Sequence, residues 1–85
     1  MRERWIDNGR GLLSIKTDTM YIHIQSRAQK NYHTISSNWS LFFYVKGRYG
    51  YEARIYENFA GTMEAALDRA ETLLKDIFES IQEIL

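Results

Sequence analysis

The 85-residue chain contains no cysteine, which removes disulfides, thiolate metal sites and a thiol nucleophile, and leaves nothing that argues for an oxidising compartment. No apolar run approaches the roughly 20 residues that a membrane-spanning helix needs. The charged start Arg2-Glu3-Arg4 is not followed by the apolar stretch of a signal peptide. Neither a membrane span nor a signal peptide is expected, and a cytoplasmic location is the default. A phosphate-binding loop, a dinucleotide fingerprint and a nucleophile elbow are all missing. The two close glycine pairs, Gly9/Gly11 and Gly47/Gly50, read as hairpin punctuation. The expectation is a protein that is not an enzyme and takes no cofactor or metal.

Net charge is also lacking, with eleven Lys/Arg against eleven Asp/Glu, but the balance is uneven along the chain. Residues 1–60 hold nine basic against five acidic residues, and residues 61–85 hold two against six. Eleven of the twelve aromatic residues precede position 61; only Phe78 follows it. The first part is therefore basic and aromatic and the last part acidic. At this size the chain makes one domain, small enough that a single core is marginal and association often helps.

What is present is a change of period. Residues 20–27 alternate, with Met20, Ile22 and Ile24 on one side and Tyr21, His23, Gln25 and Arg27 on the other, the two-residue repeat of a half-buried strand. Residues 12–17 form a weaker strand with Leu13, Ile15 and Thr17 facing inward, closed by a turn at 17–19. Residues 3–6 read as a first strand ending in the Asn8-Gly9 turn. Residues 39–46 are apolar on both sides, as in a central strand, and turn through 47–50 into a partner at 51–57. Two registers are open for this hairpin: Phe43 opposite Ala53 with Phe42 opposite Arg54, or Phe43 opposite Arg54 with Phe42 opposite Ile55. The polar stretch 28–38 is a long loop, or a loop holding a short edge strand near 32–35.

From residue 61 the period lengthens. Met63, Leu67, Ala70, Leu74, Ile77, Ile81 and Ile84 step by four and three, the seam of a long amphipathic helix. Thr62 is placed to cap it and Glu64 to complement its dipole. The fold class expected is α+β: an antiparallel sheet of four or five strands with one long C-terminal helix packed on one face. The apolar set is wider than the seam, because Ala66, Leu73, Phe78 and Leu85 flank it. A helix of 23 residues, about 34 Å, should also overhang strands of about 20–27 Å. Phe78, Ile81 and Leu85 are accordingly expected to bury against a second copy in a homodimer.

The candidate binding surface is the outer face of the sheet. Tyr21, His23, Arg27, Lys46, Arg48, Tyr49 and Arg54 interleave rings and positive charge near Phe42, Tyr44 and Tyr56, and the expected partner is another protein. The alternative is nucleic acid, since aromatic residues alternating with Arg and Lys stack bases and neutralise phosphates. His23 and His33 could meet around a metal with Asp18 or Glu52, but they read more simply as surface histidines. Asp68, Glu71, Asp76, Glu79 and Glu83 read as the solvated face of the helix.

The ten residues from Gly61 to Ala70, Gly-Thr-Met-Glu-Ala-Ala-Leu-Asp-Arg-Ala, follow a hairpin and open a helix. They resemble the strand-to-helix junction of antitoxins with a degraded ribonuclease-H-like fold, and that of the arm-binding domains of tyrosine recombinases. The second resemblance implies three strands and a helix that bind DNA. In size and character the chain is also similar to anti-CRISPR proteins, which implies a phage-type inhibitor of a host defence complex.

Overall fold

A computed structural model describes residues 2–46 and 52–85, and the side chains of all of these but 46 and 52–56. The strands are β1 (Ile6–Asp7), β2 (Leu12–Lys16), β3 (Met20–Ser26), β4 (Ser37–Lys46) and β5 (Glu52–Gly61), followed by helix α1 (Met63–Ile84). They form one antiparallel sheet in the order β1-β2-β3-β4-β5. The helix returns over β3, β4 and β5. This is the α+β arrangement expected, with five strands where the recombinase resemblance implied three.

Alternation puts Leu13, Ile22, Ile24, Leu41 and Phe43 on the face beneath the helix, where Ala66, Leu67 and Ala70 meet them. Small residues at 66 and 70 let the first helical turns approach the sheet closely. Trp39 is fully buried at the end of β4, and its indole N–H finds no acceptor among the described residues.

The β4–β5 register is neither of the two weighed. Val45 faces Ala53, Phe43 faces Ile55 and Leu41 faces Glu57, with Phe42 opposite Tyr56 and Tyr44 opposite Arg54. This is a slip of two residues from the first alternative. A slip of two keeps every side chain on its face, whereas a slip of one would have exchanged the faces.

The chain start also departs from expectation. Residues 3–6 are not a strand: Arg2–Arg4 make a 3-10 turn and only Ile6 and Asp7 pair with β2. Arg2 and Trp5 reach the helix instead, drawing the backbone out of the sheet. Gly9, Arg10 and Gly11 all take positive φ, making the β1–β2 connection an irregular turn. At Gly11 a Cβ would sit 3.1 Å from the carbonyl oxygen of Ala28, so glycine is required there twice over. Thr17 ends β2 rather than facing the core, and its hydroxyl accepts from the N–H of Met20 at 3.0 Å. Ser14 lies on the outer face as expected yet is buried, its hydroxyl accepting from the Asn8 amide at 2.8 Å.

The 27–36 connection holds no strand. It turns at Asn31, whose φ is +58°, and sends Tyr32 into the core beside Leu13 and Trp39. The helix begins where Thr62 predicts, the hydroxyl of Thr62 accepting from the N–H of Ala65 at 3.2 Å. Strands β4 and β5 are ten residues each, about 33 Å, so the length mismatch assumed for the helix does not exist.

Candidate functional site

Three groups of side chains stand out, and the sheet's outer face is the first. Cross-strand pairing sets Tyr21 opposite Tyr44 and His23 opposite Phe42. The rings pack at a tilt to one another along the face: His23 and Phe42 are 4.4 Å apart between centroids, Tyr21 and His23 5.3 Å, and Tyr21 and Tyr44 5.9 Å. Phe42 and Tyr44 lie nearly parallel, 10° apart in plane and 6.5 Å between centroids. All four residues are half-buried, shielding one another on the side of the sheet away from the helix. A depression of about 770 Å³ adjoins them at the β2–β3 turn, lined by Lys16, Thr17, Asp18, Thr19, Tyr21 and Tyr44 among others.

Of the residues expected at the interface, the structure brings Tyr21 and His23 together with Phe42 and Tyr44. Arg27 is exposed just beyond β3, and its N–H donates to Asn38. Six residues of strand separate it from Tyr21, about 20 Å, so the two do not share one small contact. Lys46 and Arg54 are placed by register, Arg54 opposite Tyr44. Arg48 and Tyr49 lie outside the described residues.

The second group is polar and sits on the helix side. The Asp7 carboxylate accepts from the Tyr32 hydroxyl at 2.6 Å and from the N–H of Gly9 at 2.9 Å, and its other oxygen lies 2.6 Å from Nε2 of His33. Tyr32 and His33 stack with centroids 4.2 Å apart. Partial burial pushes the Asp7 carboxyl up, but the bonds from Tyr32, Gly9 and His33 outweigh it and hold it below the usual carboxylate range. Donation to Asp7 raises the Tyr32 phenol, with burial adding to it. His33 is thus engaged with Asp7, while His23 lies on the opposite face of the sheet. The pairing of histidines around Asp18 or Glu52 does not occur, and among the described residues no cluster of three metal-ligating side chains forms.

A second polar contact belongs with this group, a guanidinium clamp that fastens the chain start to the helix. Arg2 reaches Glu64 and Glu71 at 2.8 Å each and also bonds Asp68. The Trp5 indole N–H donates to Glu71 at 3.2 Å. Asp68 and Glu71 are therefore not simply solvated: their row on the helix is where the chain start is fastened. Arg69 bonds Glu57 of β5 at 2.7 Å, tying the helix to the last strand. No local pattern announces either contact, because the partners are twelve to 69 residues apart in sequence.

The third group is apolar. Beyond Ala70 the helix is only half-buried at Leu73, Leu74 and Ile77, and Phe78, Ile81, Ile84 and Leu85 are 60%, 50%, 84% and 98% exposed. A groove of about 870 Å³ opens between this end of the helix and the sheet. Ile15, Met20, Ile22 and Phe43 line it from the sheet, and Leu74, Ile77, Phe78 and Ile81 from the helix, with Arg4, Asp68, Glu71 and Lys75 also in its lining. Phe78, Ile81 and Leu85, expected at a self-association surface, are exposed in the single chain where the helix parts from the sheet.

The fold and these surfaces define a five-stranded meander covered by one helix, with a ring-lined outer face and an open apolar groove. No helix among the described residues is long and apolar enough to cross a membrane. Comparison with protein-family models, with curated proteins and with solved structures finds no match to the chain.

Proposed function

We propose that this chain is a small non-enzymatic binding protein that acts through contacts with another protein, in the manner of small phage inhibitors of host defence complexes. The observation that supports this reading is the row of four half-buried rings, Tyr21, His23, Phe42 and Tyr44, on the sheet face opposite the helix. Aromatic side chains that are ordered by their neighbours before binding lose little entropy when a partner covers them, and such residues dominate interface energetics. Arg27 lies exposed beyond the far end of β3, and Arg54 stands opposite Tyr44 in register.

The test is affinity capture from the source cell, with and without nuclease, using the wild-type chain and a Tyr21→Ala/Tyr44→Ala variant. A specific protein that survives nuclease and is lost with the variant is the expected result. Capture that is unchanged by the variant removes this face from the reading.

Nucleic-acid binding is the second reading, favoured by the near-parallel rings of Phe42 and Tyr44 with Arg54 opposite Tyr44 in register. It requires oligonucleotide binding that weakens steeply with salt and is reduced by Tyr44→Ala and by Arg54→Ala. The absence of any binding at low salt ends it.

A further inference from the structure

We propose that Asn8 is a site of covalent modification, deamidation through a cyclic imide with the backbone nitrogen of Gly9, and that the hydrogen bonds of the β1–β2 turn hold the reaction back until the turn opens. The site lies apart from the ring cluster and stands independently of the proposed partner.

The residue pair occurs once in this chain. Of the four asparagines only Asn8 precedes a glycine; Asn31, Asn38 and Asn58 precede Tyr32, Trp39 and Phe59. Attack on a side-chain amide by the next backbone nitrogen needs a close approach, which a bulky following residue obstructs and a glycine permits. The space around Gly9 is open, since a Cβ there would meet nothing within 4 Å. Asn8 itself is exposed, so water reaches it.

The chemistry needs no reactant other than water. The Gly9 nitrogen, once deprotonated, forms a bond to Cγ of Asn8, the Cγ–Nδ2 bond breaks, and Nδ2 leaves with the proton as ammonia. Water then opens the ring at one carbonyl or the other, leaving aspartate or isoaspartate at position 8.

The native turn opposes the first step from both sides. The Gly9 N–H donates to Oδ1 of Asp7 at 2.9 Å, and this bond must break before the nitrogen reacts. A carboxylate is too weak a base to take an amide proton, and its charge opposes an amide anion beside it. Nδ2 of Asn8 donates to the buried Ser14 hydroxyl at 2.8 Å, which fixes the carboxamide against β2. The backbone is pinned as well: the Asn8 N–H donates to the Leu12 carbonyl at 2.8 Å, and the Leu12 N–H to the Gly9 carbonyl at 3.1 Å. Because β1 is only two residues long, few contacts hold this end of the sheet, and its local opening releases these bonds together. Conversion then sets a second carboxylate next to Asp7. In the isoaspartyl product it also adds a carbon to the backbone of the turn.

The test is prolonged incubation of the full chain, folded and in urea, in mildly alkaline buffer, followed by trypsin and mass spectrometry. Cleavage after Arg4 and Arg10 frees residues 5–10 as one peptide, in which Asn8 is the only carboxamide. The expected result is conversion of amide to acid in this peptide ahead of those that hold the other asparagines, as paired aspartyl and isoaspartyl products. It should run at least about tenfold slower in the folded chain than in urea, because the hydrogen bonds must break first. Ser14→Ala should speed it in the folded chain with the circular dichroism unchanged, whereas Ser14→Thr, which keeps the hydroxyl, should not. Hydrogen exchange at the Gly9 amide should be slowed by folding, since it reads the same opening. A folded chain left unconverted at Asn8, faster conversion at another asparagine, equal rates folded and in urea, indifference to Ser14→Ala, or a Gly9 amide that exchanges as in urea overturns the proposal.

Discussion

Asp7 shows how one carboxylate organises a loop. It accepts from Tyr32 and from the N–H of Gly9 and faces His33, so it anchors the 27–36 connection to the first hairpin. Its folded carboxyl is held below the ordinary value, which means that the stability it contributes is fully present above the unfolded carboxylate pKa of about 3.9. That stability is lost as pH falls through the lower folded value. Acid unfolding of Asp7→Asn should therefore be shallower over that window than that of wild type, with a loss at neutral pH of ~1 kcal/mol for the weakened bonds. Tyr32→Phe removes one of the bonds that lower the carboxyl, and should raise the acid midpoint read by circular dichroism. Core residues carry a larger share. Leu41, fully buried beneath the helix, should cost ~2–5 kcal/mol as Leu41→Ala in denaturant unfolding.

At the scale of elements, the helix is fixed at its first turns and loosely held at its last. Thr62 caps it, and Thr62→Ala should lower stability by ~1 kcal/mol. Arg2 bonds three carboxylates spaced along the helix, with Asp68 the main cause of its raised pKa. Since Arg2 is half-buried and two of those carboxylates are exposed, Arg2→Ala should cost only ~0.5–1 kcal/mol. That cost should shrink further at 1 M salt, where charges are screened within about 3 Å. In the β1–β2 turn, Gly11→Ala combines an unfavourable positive φ with a backbone contact at 3.1 Å, and should cost more than ~1 kcal/mol. These effects are separable by chemical denaturation of single variants, because the sites lie in different parts of the fold.

On the scale of the whole molecule, the two faces of the sheet differ in what covers them. One face is closed near Ala66 and Ala70 and opens into the groove beyond Ile77; the other carries the aligned rings. Truncation after Glu79 removes Ile81, Ile84 and Leu85, all exposed. It should leave the strand circular dichroism in place, because none of the three belongs to the buried core. Loss of the strand signal would show that the last turn of the helix supports the sheet.

Much of this was legible in the linear sequence because it rests on local chemistry. The alternation of residues 20–26, the four-and-three seam of the helix, its cap at Thr62 and the irregular turn at Gly9 and Gly11 each depend on neighbours a few residues apart, so the periods and the permissive residues declare them. The Tyr21 and His23 side of β3 was readable for the same reason. The β4–β5 register was not, since a shift of two residues leaves the pattern on both faces unchanged and only the full set of cross-strand contacts selects among such pairings. The burial of Tyr32, the attachment of His33 to Asp7, the Arg2 clamp and the gap under Phe78 and Ile81 depend on residues far apart in the chain. Sequence alone determined the segments of β2 to β5 and of the helix and which way most of their side chains face, but not the first strand. Tertiary structure decided which distant charges meet and where the helix parts from the sheet, because those contacts follow from the packing of whole elements rather than from any repeat along the chain.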